Sequence, residues 1–422
     1  MIQFPTVQKL FPEYYEILQG EMIRQRDGLE LIPAENYASQ AVLEAASSHF
    51  TNKYSEGYPG RRYYGGQKYT DQMESLAIEK AKKVFRAEHA NVQPISGAAM
   101  NIASYFAILE PGDTILGMDL SHGGHLTHGH PVTHMYKVFN YVRYKTDQKQ
   151  GGIIDYDNLR EMALKHKPKL ILAGFSAYSR NLDWQKFKDI ADEVGALTMA
   201  DVSHIGCLIA GDAIDNPLDY GFDIMTTTTH KSLRGPRGGL ILCKEKFASQ
   251  IDKAIFPGLQ GGPIMNLVFA KLICLTEADT PEFKEYSKQI IKNAKTLCDE
   301  LIRLGYSPVN GGTENHLIML DVTKNGLTGQ VAETALDQAG ITLNKNMIPD
   351  DPRKPLDPSG IRFGTPAITT RGMKEPEMVK VANWIDQALK NHDNDDVLKS
   401  IHAEVTEVCK NFPVPGLEDF SG

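Results

Sequence analysis

Only five cysteines occur in 422 residues. They are Cys207, Cys243, Cys274, Cys298 and Cys409, odd in number, scattered and never in CxxC spacing. This excludes a disulfide framework and a zinc ribbon, and a reducing compartment, the cytoplasm, is expected. No apolar run approaches the roughly 18 residues that a membrane helix needs, and mean hydropathy is −0.32. A basic excess is missing too: 45 Lys and Arg stand against 53 Asp and Glu, a net charge of −8. A dedicated nucleic-acid binder needs a basic stripe to neutralise phosphates, so neither nucleic acid nor membrane is an expected partner. The opening residues, MIQFPTVQKLFPEYYEIL, lack a basic segment followed by an apolar one, and no cleaved leader is expected. Internal repeats and low-complexity linkers are also absent.

What is present is ordinary for a globular chain: 41% apolar and 23% charged residues, which exclude whole-chain disorder. Residues 8–30 read as a helix ending at the Pro/Asn loop LIPAENYAS, and another helix is expected around 40–50. The Gly/Tyr-rich stretch Tyr54–Gly66 is a loop of the kind that carries function or reaches a partner rather than packing as core. From about 90 to 245, short apolar or β-branched runs (114–118, 169–174, 196–201, 223–229, 239–243) alternate with amphipathic stretches. Such alternation predicts a mostly parallel sheet with helices on both faces and ligands off the carboxyl ends of its strands. A long helical region, about 264–305, leads to a second unit with a strand at 316–322 and a helix over 377–391. The reading is an α/β chain: an N-terminal arm (1–50), a large α/β domain (51–283) and a smaller α+β C-terminal domain (284–422).

The chemistry centres on Asp201, which ends one strand in Asp201-Val-Ser-His204, and Lys231, which follows another in TTTTHK. A carboxylate at one strand end and a lysine on a nearby loop suit pyridoxal phosphate. The lysine attaches the cofactor covalently, and the aspartate keeps the pyridine nitrogen protonated so that the ring accepts electrons from a carbanion. Most lysines are solvated, but four threonines and His230 before Lys231 and the glycine-rich LRGPRGG after it are not the surroundings of a solvated one. A phosphate needs N–H donors, hydroxyls and a helix N-terminus, which Ser96-Gly97 supplies by following ANVQPI and opening a helical stretch. The cluster of His122, His125, His128 and His130 raises a metal reading. No cysteine lies near it and HExxH spacing is absent, so no metal is expected; one imidazole is expected to stack on the cofactor ring while the others hydrogen-bond locally. Arg362, in SGIRFGTPAITTRG, offers a guanidinium fork that matches the carboxylate of an α-amino acid. A structural arginine paired with an acidic residue is the other reading of that segment.

These segments together resemble serine hydroxymethyltransferases, from about residue 8 to about 390. The resemblance is carried by LIPAEN (31–36), TNKYSEGYPGRRYYGG (51–66), NVQPISG (91–97), MDLSHGGHLTHG (118–129), GFSAYS (174–179), DVSHI (201–205), TTTTHKSLRGPRGG (226–239), FPGLQGGP (256–263), NKNMIP (344–349) and SGIRFGTPAITTRG (359–372). It implies a fold-type I pyridoxal-phosphate transferase of one-carbon and amino-acid metabolism, an obligate homodimer or a tetramer with composite active sites. The implied reaction interconverts serine and glycine with tetrahydrofolate as one-carbon carrier. A related α-methylserine hydroxymethyltransferase or a folate-independent β-hydroxy amino acid aldolase is the alternative.

By motif position, the resemblance implies Lys231, Asp201, Glu56, His230 and Tyr64 as the catalytic set. Lys231 carries the cofactor, Asp201 faces the pyridine nitrogen and His125 stacks on the ring. Ser176 and His204 contact the region of the ring oxygen. Ser96, Gly97 and His230 hold the phosphate, joined by Tyr54 and Gly262 across the dimer. Arg362 binds the substrate carboxylate, and Glu56 and Tyr64 arrive from the second subunit, Glu56 moving a proton near the substrate hydroxyl. Leu120, Gly124, Leu126 and Asn346 line the folate site. Two hydroxyls are missing from the pattern: Pro33-Ala34 stands where the family usually has Ala-Ser, and Ala98 where the phosphate loop usually reads SGS.

Overall fold

Five buried runs, all within one unit of the chain, form the strands on which the site is built. A computed structural model describes residues 4–418 and 420. We number the strands of the large sheet β1 (His89–Asn91), β2 (Thr114–Met118), β3 (Asn140–Tyr144), β4 (Leu170–Gly174), β5 (Leu197–Asp201), β6 (Ile224–Thr228) and β7 (Gly239–Cys243). Every residue of β4, β6 and β7 is buried, the mark of strands covered on both faces rather than alternating between core and water. The sheet order is β1-β7-β6-β5-β4-β2-β3. Only β7 runs against its neighbours; the other pairings are parallel. The carboxyl ends of β1, β2, β4, β5 and β6 therefore open on one edge. The mostly parallel α/β sheet expected from the sequence is what the chain forms.

The connecting helices follow their local signals. Trp184–Val194 starts at Asp183, whose side chain accepts the Lys186 N–H at 3.0 Å, and stops at Gly195 with φ 70°. It buries Trp184, Phe187, Ile190 and Ala191. Two expected helices are each broken at a proline. The 8–30 region is Pro5–Leu10 and Pro12–Asp27, and the 264–305 region is Met265–Ala278 and Pro281–Arg303. Proline has no N–H to continue the ladder and is accommodated where a new helix begins. The Tyr54–Gly66 loop folds over a two-residue hairpin pairing Gly57 with Arg62 and Tyr58 with Arg61.

The chain divides into two compact units: residues Glu44–Lys288, which hold the large sheet, and the residues up to Leu43 together with those from Gln289 onward. The second unit is built on a three-stranded antiparallel sheet of β8 (Leu317–Asp321), β9 (Asn344–Asn346) and β10 (Gly360–Gly364), in the order β8-β10-β9. Its core includes Leu301, Ile318, Leu320, Ile361, Phe363 and Trp384. Arg371 ties the ends of this unit together: its guanidinium donates to the carbonyls of Gln25, Arg26, Gly28, Cys409 and Phe412. Replacing it with methionine takes the guanidinium donors away from five carbonyls in a site where the arginine is only 4% exposed. Arg371→Met is expected to cost at least about 3 kcal/mol and to lower the first calorimetric transition by at least about 6 °C. No helix among the described residues is long and apolar enough to cross a membrane.

Candidate active site

Asp201 closes β5, in register with Gly174 on β4 and Thr226 on β6. Gly174 has φ +145°, and a Cβ there would lie 2.3 Å from the Asp201 carbonyl oxygen, so this approach of the strand ends requires glycine. The carboxylate is buried and heavily engaged. Its Oδ2 accepts from His128 Nε2 at 3.0 Å and Asn101 Nδ2 at 2.8 Å; its Oδ1 accepts from the Ser203 N–H at 3.1 Å and hydroxyl at 2.6 Å. Asn101 is fixed in turn, donating to Thr127 Oγ1 at 2.9 Å and accepting from the Thr226 hydroxyl at 2.8 Å. The His125 N–H donates to His128 Nδ1 at 3.2 Å, so Nε2 is the ring nitrogen that donates to Asp201. Burial opposes the charge on Asp201. Hydrogen bonds from His128 and Ser203 outweigh it, holding the carboxyl far below the usual carboxylate range.

His125 stands beside this anion, its ring centroid 5.7 Å from that of His128. Burial pushes it down to about 4, so at neutral pH it presents an uncharged flat ring. The loop that carries it is folded back tightly: a Cβ at Gly124 would lie 2.1 Å from the Met118 carbonyl. Leu120 and Leu126 each open a short 3-10 turn of this loop. Ser176, just past β4, joins it by donating its N–H to the Gly123 carbonyl at 2.7 Å. His204 is buried, and its carbonyl accepts from the Ser232 hydroxyl at 3.0 Å, linking the aspartate segment to the lysine loop.

Lys231 follows β6 after Thr229 and His230, in a turn closed by the Arg234 N–H on its carbonyl at 2.9 Å. Burial, with the charges of Arg237 and Lys231, pushes His230 down to about 4, and its Nδ1 accepts the Gly238 N–H at 3.4 Å. Ser96 caps the helix Gly97–Ile108, its hydroxyl accepting the Ala99 N–H at 3.2 Å. A Cβ at Gly97 would sit 3.0 Å from the Thr228 methyl, so this helix start lies against the strand end that leads to His230 and Lys231.

The remaining expected residues fall into two further groups. Tyr54, Glu56, Tyr64 and Gly262 form a surface cluster of two exposed tyrosines with a partly buried glutamate and glycine: the Tyr54 hydroxyl donates to Glu56 Oε1 at 3.1 Å, and the Tyr54 and Tyr64 rings meet edge-on at 5.2 Å. A Cβ on Gly262 would touch the Tyr54 ring at 3.4 Å. Tyr54 and Tyr64 are 56% and 51% exposed. Arg362 and Asn346 lie in the other unit, on β10 and β9. Arg362 pairs with Asn344 across the sheet, its Nε donating to Asn344 Oδ1 at 3.2 Å. Burial lowers this guanidinium to about 10, which still leaves it charged at neutral pH. Residues 31–34 border the same strand: Leu31 accepts the Gly364 N–H at 2.7 Å, and a Cβ at Gly364 would meet Pro33 at 3.2 Å.

Asn101, Thr127, Ser203 and Thr226 were not singled out by motif reading, and His128 only as a member of the histidine cluster. The one signal available was the close spacing of those histidines. His125, His128 and Asp201 bring three metal-type ligand atoms within 4.8 Å of one another, but the hydrogen bonds explain that closeness. His128 Nε2 is spent on Asp201, and His125 Nδ1 accepts the Thr127 N–H at 3.2 Å.

The donor set fits pyridoxal phosphate. A carboxylate held ionised in a buried site suits a protonated pyridine nitrogen, the neutral His125 ring suits stacking, and a capped helix start beside His230 suits a phosphate. Residues 7–385 match the family described as serine hydroxymethyltransferase. Over 413 residues the chain is 53% identical to a serine hydroxymethyltransferase of Desulfotalea psychrophila (strain LSv54 / DSM 12343), covering 98% of this chain and 96% of that protein. The chain belongs to the serine hydroxymethyltransferase family.

Proposed function

We propose that Asp201 and Lys231 form the centre at which this chain interconverts serine and glycine. Enzymes of this family depend on pyridoxal phosphate and use tetrahydrofolate as co-substrate. Neither comparison favours the α-methylserine or folate-independent aldolase alternative. The observation that carries the reading is the Asp201 carboxylate, kept anionic by His128, Asn101 and Ser203 at the carboxyl end of β5.

When bound, the cofactor supplies an electron sink for the carbanion left at Cα as the Cα–Cβ bond breaks. The residues do the rest. Lys231 supplies the amine for covalent attachment. Asp201 holds a proton on the ring nitrogen, because a buried anion favours the protonated partner facing it. His125 offers a neutral face for stacking, and Ser176 and His204 flank the ring oxygen. Ser96, Gly97 and His230 bind the phosphate through hydroxyl, main-chain N–H and imidazole. Arg362 takes the amino-acid carboxylate. Leu120, Gly124, Leu126 and Asn346 line the tetrahydrofolate site.

The surface cluster of Tyr54, Glu56, Tyr64 and Gly262 is read as a contribution to the site of a second copy. Its support is physical: two half-exposed tyrosines and a carboxylate are organised by one another on a surface. In that arrangement Glu56 moves a proton at the substrate hydroxyl and Tyr54 joins the phosphate. Five buried thiols support a reducing location such as the cytoplasm.

Borohydride reduction of the protein with pyridoxal phosphate, followed by peptide mapping, tests the assignment. The reduced adduct is expected on Lys231, and an adduct confined to other lysines overturns it.

A further inference from the structure

Lys271 has no place in the chemistry above, yet it is one of the most deeply buried charges in the chain, 2% exposed on the helix Met265–Ala278. Its ammonium donates to three main-chain carbonyls: Val92 at 2.7 Å, Pro94 at 2.9 Å and Gly239 at 3.0 Å. An ammonium has three N–H donors and no acceptor, so these carbonyls satisfy it completely. Burial pushes the group down to about 7, against the pull of Glu74.

The carbonyls belong to segments that matter. Residues 92–95 run from β1 into the Ser96 cap, and Gly239 opens β7. The Gly239 N–H donates to the Pro94 carbonyl at 2.9 Å. Gln260 brackets the same run, its Nε2 on the Gln93 carbonyl at 3.1 Å and its Oε1 on the Ile95 N–H at 3.0 Å. The lysine stem passes close over Gly238, where a Cβ would meet its Cε at 2.5 Å. Gly238 is also the donor to His230, and the Lys271 charge is felt at that imidazole. One buried cation thus braces the chain leading to Ser96-Gly97 and the chain that holds His230.

Main-chain carbonyls gathered around a single positive charge are how proteins replace the hydration shell of a bare monovalent cation. We propose that Lys271 is a tethered monovalent cation, a positioning residue that holds Ser96-Gly97 and His230 in the geometry that binds a phosphate. The inference rests on the pyridoxal-phosphate reading. It predicts a selective defect: the phosphate ester loses affinity, while pyridoxal, which reaches the same Lys231 without a phosphate, does not.

The test is spectrophotometric titration of apoenzymes with pyridoxal phosphate and with pyridoxal, in mildly acidic buffer where the ammonium is charged. Lys271→Ala and Lys271→Met are each expected to weaken pyridoxal phosphate roughly 10- to 100-fold, the scale of hydrogen bonds to a charged group, and to leave pyridoxal unchanged. Potassium or ammonium is expected to restore Lys271→Ala, whose truncated side chain leaves room for the ion, and tetramethylammonium is not. Lys271→Met, which fills the space without charge, is expected to ignore all three. Gly238→Ala keeps the lysine but displaces its stem, and is expected to show the same phosphate-selective loss without rescue; it decides the matter alone if the position-271 variants do not fold. Wild-type affinity in any folded variant, or equal losses for the two ligands, overturns the proposal. A wild-type protein that captures no pyridoxal phosphate overturns the underlying reading instead.

Discussion

Asp201→Asn is expected to lower kcat for serine cleavage by at least about 10²–10³-fold, the scale seen when one fixed electrostatic partner of a transition state is removed. Four donors converge on this carboxylate, from His128, Asn101 and both the N–H and the hydroxyl of Ser203. Asparagine keeps the size but turns an NH2 group toward donors and carries no charge to hold a proton on the pyridine nitrogen. The cofactor should still attach at Lys231 and serine should still bind, so the loss falls on kcat rather than KM. Steady-state kinetics at saturating cofactor separates the two, and a kcat within tenfold of wild type contradicts the role. The linkage has a sign as well. Because the folded-state pKa is depressed, the stability that Asp201 contributes is present above the ordinary carboxylate pKa and is lost as pH falls below it. Acid-induced unfolding of Asp201→Asn should therefore be less steep than that of wild type.

Arg362→Lys is the second large effect. The guanidinium lies on β10 with its plane set by Asn344, and burial does not remove its charge at neutral pH. A lysine keeps the charge but loses the planar fork that meets both oxygens of a carboxylate. A lost hydrogen bond to a charged group costs about 1.5–3 kcal/mol, or roughly 10- to 200-fold, and kcat/KM for serine should fall by that much. Because the lost contact is to the carboxylate, discrimination between serine and serinamide should narrow in the variant. A variant that retains wild-type kcat/KM and discrimination places Arg362 among structural arginines, the role that Arg371 fills nine positions later.

Those two arginines show where sequence reading stops. Both stand in SGIRFGTPAITTRG, of which sequence reading named only Arg362, and nothing in the segment announces that Arg371 is consumed by five carbonyls contributed by residues 25–28 and 409–412. The strands were legible because a strand buried on both faces is a continuous apolar run, as in LILAG and GLILC, needing no partner to be recognised. Asp201 and Lys231 were legible because each is announced within its own few residues. The shell around Asp201 was not: Asn101 and His128 lie 100 and 73 positions away, and only the closing of β5 beside the helix start and the histidine loop makes them neighbours. Lys271 is hidden for the same reason. On its own helix it reads as an ordinary lysine, and its three acceptors come from chain segments far from it. The reversed direction of β7 likewise depends on which strands it joins, not on its own apolar sequence.

The central claim is tested most directly by proton NMR of serine incubated with the pyridoxal-phosphate-loaded protein, with and without tetrahydrofolate. The account predicts that glycine appears as serine is lost, in equal amounts, and that its rate depends on tetrahydrofolate. Serine left intact, or glycine released equally fast without tetrahydrofolate, would contradict it.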